Sequence, residues 1–244
     1  MNKIFSIIIV SILLITPSVI FAEDGASSVR INKFELIWSV DTYTPYNYQG
    51  RNLPIVGSKV TVNPIISASG GDVKSLKYSW FLEDVFQQNK SGYGKDSFYF
   101  YVQKGAGAYH TVRLQIFNDD RTVFEEKSIQ IPITEPEIIF YSSNGNSHFS
   151  NQASVIYTVL AGKTFSFVAR PYFFSIKKLT DLIFEWNFSG GEPIISSDYD
   201  ASIFNLTISN KNSGQTTESN LWVNVKNTLD ETQKAFKSMK INIY

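Results

Sequence analysis

The chain has 244 residues, 43% of them apolar and 15% aromatic, which is ample for two modest cores and too apolar for a disordered chain. Its 22 basic and 22 acidic residues cancel without any run of Lys and Arg, so it lacks the basic face that phosphate neutralisation requires, and nucleic acid is set aside as a partner. Cysteine is absent, which excludes disulfides, thiol catalysis, thiolate zinc sites and cysteine-linked lipid and leaves stability to packing alone.

At the N-terminus, Lys3 precedes an almost wholly apolar run from Ile4 to Ile15, Pro17 interrupts it, and Ile20-Phe21-Ala22 ends on a small residue before Glu23 and Asp24. This pattern predicts a secretory signal peptide over 1–22, cut after Ala22. The alternative is a retained anchor, since about 20 apolar residues span a bilayer; this segment would then be the chain's one membrane contact. Either way the chain is expected to be exported, to the periplasm, the cell surface or beyond. For an exported chain without cysteine a bacterial envelope is the natural setting.

A short segment, 23–33, leads into strands. Phe34–Trp38, Lys59–Val62, Ser97–Val102, Thr111–Ile116 and Ser128–Ile131 mostly alternate apolar and polar residues with a period of two. After Thr134-Glu135-Pro136 the series restarts with Glu137–Tyr141, Thr164–Ala169, Leu182–Trp186, Ala201–Ile208, Asn220–Val225 and Met239–Ile243. No sustained helical period follows the signal region, and Asp230–Ala235 offers one helical turn at most. Short, half-buried strands at this density predict an all-β fold of paired antiparallel sheets. The brief, proline-bearing link at Thr134–Pro136 predicts a semi-rigid pair of units.

An internal repeat supports the division. Leu76-Lys77-Tyr78-Ser79-Trp80 matches Leu182-Ile183-Phe184-Glu185-Trp186 in all but one position type; Gly57 precedes Trp80 by 23 residues and Gly162 precedes Trp186 by 24; Phe98 and Phe204 each follow by 18. Asn118 and Asn227 follow their tryptophans by 38 and 41 residues. One structural unit occurring twice accounts for such spacing. Each tryptophan is the expected centre of its core, with Val62 and Leu114 around Trp80, and Phe167 and Val223 around Trp186.

Gly107-Ala108-Tyr109-His110-Thr111-Val112-Arg113-Leu114-Gln115-Ile116-Phe117-Asn118 resembles the Gly-x-Tyr-x-Val-x-Leu-x-Val-x-Asn stretch of PKD domains, with one residue added between Tyr and Val. Tyr78-Ser79-Trp80 and Phe184-Glu185-Trp186-Asn187-Phe188-Ser189-Gly190-Gly191 resemble the same family's Tyr-x-Trp-Asp-Phe-Gly-Asp-Gly segment. Trp80 departs from it in being followed by Phe81-Leu82-Glu83-Asp84, and the second unit lacks the tyrosine of the Gly-x-Tyr stretch. The resemblance implies two consecutive immunoglobulin-like (PKD-like) antiparallel β-sandwiches, over 34–133 and 134–244, of a secreted bacterial surface protein. By analogy it implies spacing, adhesion or protein contact.

Residues fit for chemistry are few. His110 and His148 are the proton carriers of the neutral range, expected at a strand edge or the surface with no Ser or carboxylate in reach. Neither the Gly-x-Ser-x-Gly elbow nor His-Glu-x-x-His is present. Asp198 and Asp200 flank Tyr199 in a loop and could contribute hard oxygens to a calcium ion, although the twelve-residue calcium loop is missing. No cofactor and no enzyme activity are expected.

Aromatic loops stand out instead. Asp41–Arg51 carries Tyr43, Tyr46 and Tyr48 among turn residues, and Pro171-Tyr172-Phe173-Phe174 follows a strand of the second unit. Two readings of the tyrosine loop stay open: a surface for stacking sugars or meeting proteins, or a flap folded over an open sandwich edge and stiffened by Pro45 and Pro54. The second cluster would then cover the junction. The expected function is a non-catalytic extracellular module, a two-domain spacer meeting an envelope or surface protein; the alternative is a carbohydrate-binding module whose glycan stacks on Tyr43, Tyr46 and Tyr48.

Overall fold

The computed structural model describes residues 29–143, 150, 152–192, 194–195, 200–209 and 217–244. The proposed signal peptide, His148 and Asp198 lie outside the described residues. In the first half the strands are β1 (Arg30–Val40), β2 (Lys59–Ser69), β3 (Lys77–Leu82), β4 (Val85–Phe86), β5 (Gly92–Tyr93), β6 (Phe98–Tyr101), β7 (Tyr109–Phe117) and β8 (Phe124–Pro132). In the second they are β9 (Glu137–Ser143), β10 (Ile156–Val159), β11 (Thr164–Tyr172), β12 (Leu182–Phe188), β13 (Ile194–Ile195), β14 (Ile203–Thr207), β15 (Thr217–Asn227) and β16 (Lys234–Ile243).

Each half pairs two sheets. A sheet in the order β1-β2-β6 faces one in the order β4-β3-β7-β8, with β5 on β3; in the second half β14-β11-β9 faces β10-β16-β15-β12-β13. Placing β1, β2 and β6 in one sheet and β3, β7 and β8 in the other is the immunoglobulin-like partition. Alternation drives it: β7 buries His110, Val112, Leu114 and Ile116 and turns the residues between them outward, so one face enters the core while the other meets water.

The repeat is structural down to single hydrogen bonds. Trp80 is fully buried, stacks on Phe98 with ring centres 5.4 Å apart and donates Nε1–H to the Lys95 carbonyl at 2.8 Å. Trp186 is equally buried, stacks on Phe204 at 5.3 Å and donates Nε1–H to the Ala201 carbonyl at 3.0 Å. A buried indole N–H needs an acceptor, and both acceptors stand 15 residues downstream of the ring. Trp80 lies opposite Leu114 and Trp186 opposite Val223; in the facing sheets Val62 pairs with Phe98 and Phe167 with Phe204. Gly57 and Gly162 adopt φ of 84° and 80°, a region open to Gly at little cost, and donate to the carbonyls of Val102 and Ile208.

Several expectations are corrected. The first strand starts at Arg30, ahead of the expected edge at Phe34, because Val29 and Ile31 pack on the core. The two-residue strands β4, β5 and β13 are too short to leave a period. β10, a strand absent from the expected series, runs parallel to β16, so the second half is not wholly antiparallel, and Trp186 on β12 stands on the fourth strand of its half. Residues 230–233, where at most one helical turn is expected, form a turn closed by a side chain: Asp230 Oδ1 accepts from Thr232 N–H at 3.1 Å and from its hydroxyl at 2.6 Å.

Candidate functional site

The loop from Asp41 to Pro54 is tied to itself and to the start of β2. Asp41 Oδ1 accepts from the Lys59 N–H at 2.8 Å, the buried Thr42 donates its hydroxyl to the Leu53 carbonyl at 3.0 Å, and Thr44 donates to Asn52 Oδ1 at 2.9 Å. Tyr48 N–H closes the tip on the Pro45 carbonyl at 2.9 Å. Short polar side chains that bond neighbouring backbone are what turns select for.

The tied loop is clasped by the second half. Tyr43 N–H donates to the Phe174 carbonyl and Phe173 N–H donates to the Tyr43 carbonyl, both at 2.7 Å, while Thr134 N–H reaches the Pro54 carbonyl at 2.9 Å. Arg170 Nη1 donates to Asn47 Oδ1 at 3.1 Å. Ile55, Tyr172 and Phe173 are buried together as a third apolar cluster, with Tyr48, Leu53 and Ile139 against it. Tyr48 meets Tyr172 edge-on at 5.5 Å and Phe173 at 6.0 Å. Phe173 holds φ at 65°, a left-handed conformation that is costly for a residue with a bulky side chain.

The three tyrosines therefore part company. Tyr48 packs in the joint, Tyr43 is half-buried and supplies the backbone clasp, and Tyr46 is 97% exposed. Burial pushes the Tyr43 hydroxyl pKa up; Arg170 pulls it down and Asp200 pushes it further up. Tyr172 is also raised, first by burial and then by its hydrogen bond with the Tyr141 hydroxyl. Beside this loop, Tyr43, Tyr46, Arg170 and Asp200 border a cavity of about 260 Å³.

Of the carboxylate pair, Asp200 alone is among the described residues. Its Oδ1 accepts from the Ser202 N–H at 3.0 Å and hydroxyl at 2.6 Å, closing the turn into β14. Among the described residues no three His, Asp or Glu side chains gather as a metal site would require.

His110 overturns its expectation. It is 4% exposed, and its Nδ1 lies 2.8 Å from Glu83 Oε1, itself 2.8 Å from Lys104 Nζ. Glu83 and Asp84 form the two-residue turn between β3 and β4 with φ of 51° and 62°, and that turn swings the Glu83 carboxylate over β7. Burial raises the Glu83 pKa, but hydrogen bonds from Lys104, His110 and the Thr111 N–H outweigh it and hold the carboxyl below its usual range. The His110 ring meets Phe100 edge-on at 4.9 Å, and its Nε2 is buried without a hydrogen-bond partner. The cluster closes the turn between β3 and β4.

Arg170, Asn47 and Glu83 were not singled out from the sequence. The Arg170–Asn47 pair spans 123 residues, and no local pattern can announce a contact of that range.

No family model matches the chain, and no curated protein matches it. Among solved structures it is similar to the three N-terminal domains of the bacteriophage RB49 highly immunogenic outer capsid protein (Hoc), at 14% identity and a TM-score of 0.44, over 86% of this chain and 59% of that one. It is similar at 8% identity and a TM-score of 0.25 to SGBP-B of the Bacteroides ovatus mixed-linkage glucan utilization locus in complex with a mixed-linkage heptasaccharide, over 89% of this chain and 70% of that one. The N-terminal four Ig domains of Dscam1 align at 11% identity and a TM-score of 0.28, over 88% of this chain and 65% of theirs. The chain thus spans about three fifths of the length of that three-domain phage chain. Among the described residues no helix is long and apolar enough to cross a membrane.

Proposed function

We propose that the chain is a non-catalytic, exported module in which two PKD-like units, 30–133 and 134–244, form a rigid spacer that meets a protein partner at a bacterial envelope. The observation that carries this reading is the clasp of the tyrosine loop on β11. Two backbone hydrogen bonds, an arginine–asparagine pair and a buried aromatic cluster are more than a loose linker needs, and they favour a fixed angle between the units. Export rests on the signal-like N-terminus.

A protein-contact role is favoured by the outer face of β15 and β16. There Trp222 and Phe236 touch at 5.8 Å, and Phe236 is 63% exposed. Adjacent aromatic rings on a solvent-facing sheet are the side chains that dominate contact energies. The test is a pull-down from the native envelope with the unaltered chain and with Phe236→Glu. A protein retained by the first and released by the second supports the reading; equal capture by both, or none by either, refutes it.

A further inference from the structure

Beyond protein contact, the cavity beside the tyrosine loop has the composition of a separate site. We infer that the cleft between the Pro45–Tyr46 turn and the paired strands β11 and β14 binds a neutral pyranose ring of a glycan. Its volume of about 260 Å³ lies just below the roughly 300–1,000 Å³ of pockets for drug-sized ligands, a size suited to a sugar ring. Val168, Leu179 and Ile203 supply apolar walls, and Arg170 and Asp200 stand among them.

The polar pair determines the ligand class. A guanidinium only donates and an ionised carboxylate only accepts, whereas each sugar hydroxyl does both, so neighbouring hydroxyls on one ring can satisfy the two together. Their charges cancel, which favours a neutral sugar over an acidic one. An apolar peptide side chain in the same space would strip water from both groups and return no hydrogen bonds.

Tyr46 supplies the stacking surface. Its ring is 97% exposed and contributes little to the fold, yet the turn beneath it is fixed: Pro45 is buried, Tyr48 N–H holds the Pro45 carbonyl, and Asn47 is held by Arg170. A ring presented on a fixed turn loses little entropy when a sugar face settles on it. Tyr48, packed in the joint against Tyr172 and Phe173, does not serve as a stacking platform, and Tyr43, half-buried, borders the cavity.

The purified full chain is applied to an array of oligosaccharides ending in glucose, galactose, mannose or N-acetylglucosamine, beside sialylated and sulfated glycans and proline-rich peptides. Titration calorimetry follows with any oligosaccharide retained. Binding of a neutral glycan is expected, weakened at least tenfold by Tyr46→Ala, kept by Tyr46→Phe, and weakened by Asp200→Asn. Because Tyr46 is exposed, Tyr46→Ala should melt with the unaltered chain, so its loss of binding is not a loss of fold. A chain that retains a sugar but no envelope protein refutes the spacer reading while leaving this one intact. Retention of only acidic glycans or only peptides, no retention at all, or undiminished affinity in Tyr46→Ala overturns the inference.

Discussion

In the two sandwich cores, contacts run between alternating strands around a fully buried indole, and the same Trp–Phe stack and indole-to-carbonyl bond occur in each. The joint repeats nothing. It is made of loop residues from the first half and a strand end from the second, joined by backbone hydrogen bonds and one small aromatic cluster. The cores thus hold each unit together through many apolar contacts that cooperate, while the joint holds the units to each other through a few directional ones. It should be the first element to open and the cheapest to alter.

The largest separation between the two regions comes from the tryptophans. Trp80→Ala or Trp186→Ala should cost about 3–5 kcal/mol and leave the Lys95 or Ala201 carbonyl without its indole donor. Chemical denaturation should then show an early transition for the altered unit and a separate one for the other. Tyr48→Ala should cost about 1–2 kcal/mol, set by its edge-on contacts with Tyr172 and Phe173. In small-angle scattering it should broaden the distribution of inter-unit distances without moving the melting of either core.

Titration sharpens the same contrast from inside the first core. Burial, then Asp96 and Asp72, push the Tyr78 pKa up to about 12, and its hydroxyl donates to the Val73 carbonyl at 3.1 Å. A raised folded-state value favours the protonated form, so this contribution is complete below the ordinary tyrosine value of about 10 and is lost as pH rises towards about 12. Tyr78→Phe should remove that part of the alkaline loss in stability, read by denaturant midpoint against pH. Glu83 behaves oppositely: its pKa is lowered from 4.5, so its contribution is present above that value and fades as pH falls below it. Glu83→Ala should flatten the acid side of the curve and cost about 1–3 kcal/mol near neutrality, since buried His110 loses its partner.

The smallest effect is a gain. Asp84 holds φ at 62°, and its contact with Arg113, at 3.4 Å, is exposed and worth little. Asp84→Gly should raise stability by up to about 1 kcal/mol by relieving the left-handed residue, read as a small rise in denaturant midpoint with unchanged slope.

Sequence reading reached the cores because their logic is local. Alternation placed β1, β2, β7, β11 and β15, and the offsets from Trp80 to Phe98 and from Trp186 to Phe204 mark the rings that stack. Short pairings escaped it: β4 and β13 have two residues each, and β10 is defined by its parallel partner β16. The joint was half legible. Tyr48 and the Pro171–Phe174 cluster drew attention as aromatics in polar company, but which rings are buried and which exposed depends on contacts more than a hundred residues apart, such as Arg170 with Asn47. His110 sat on a recognisable strand, yet its burial beside Glu83 depends on two non-glycine residues taking positive φ at the preceding hairpin, which composition disfavours.

The proposal of a rigid joint is tested most directly by the distance between spin labels at Ser67→Cys on β2 and Ser238→Cys on β16, both exposed positions, in a chain with no cysteine of its own. Pulsed electron–electron resonance should give one narrow distance distribution, which broadens when Tyr48→Ala is added. A broad distribution in the chain with the intact loop, unchanged by Tyr48→Ala, would contradict the account.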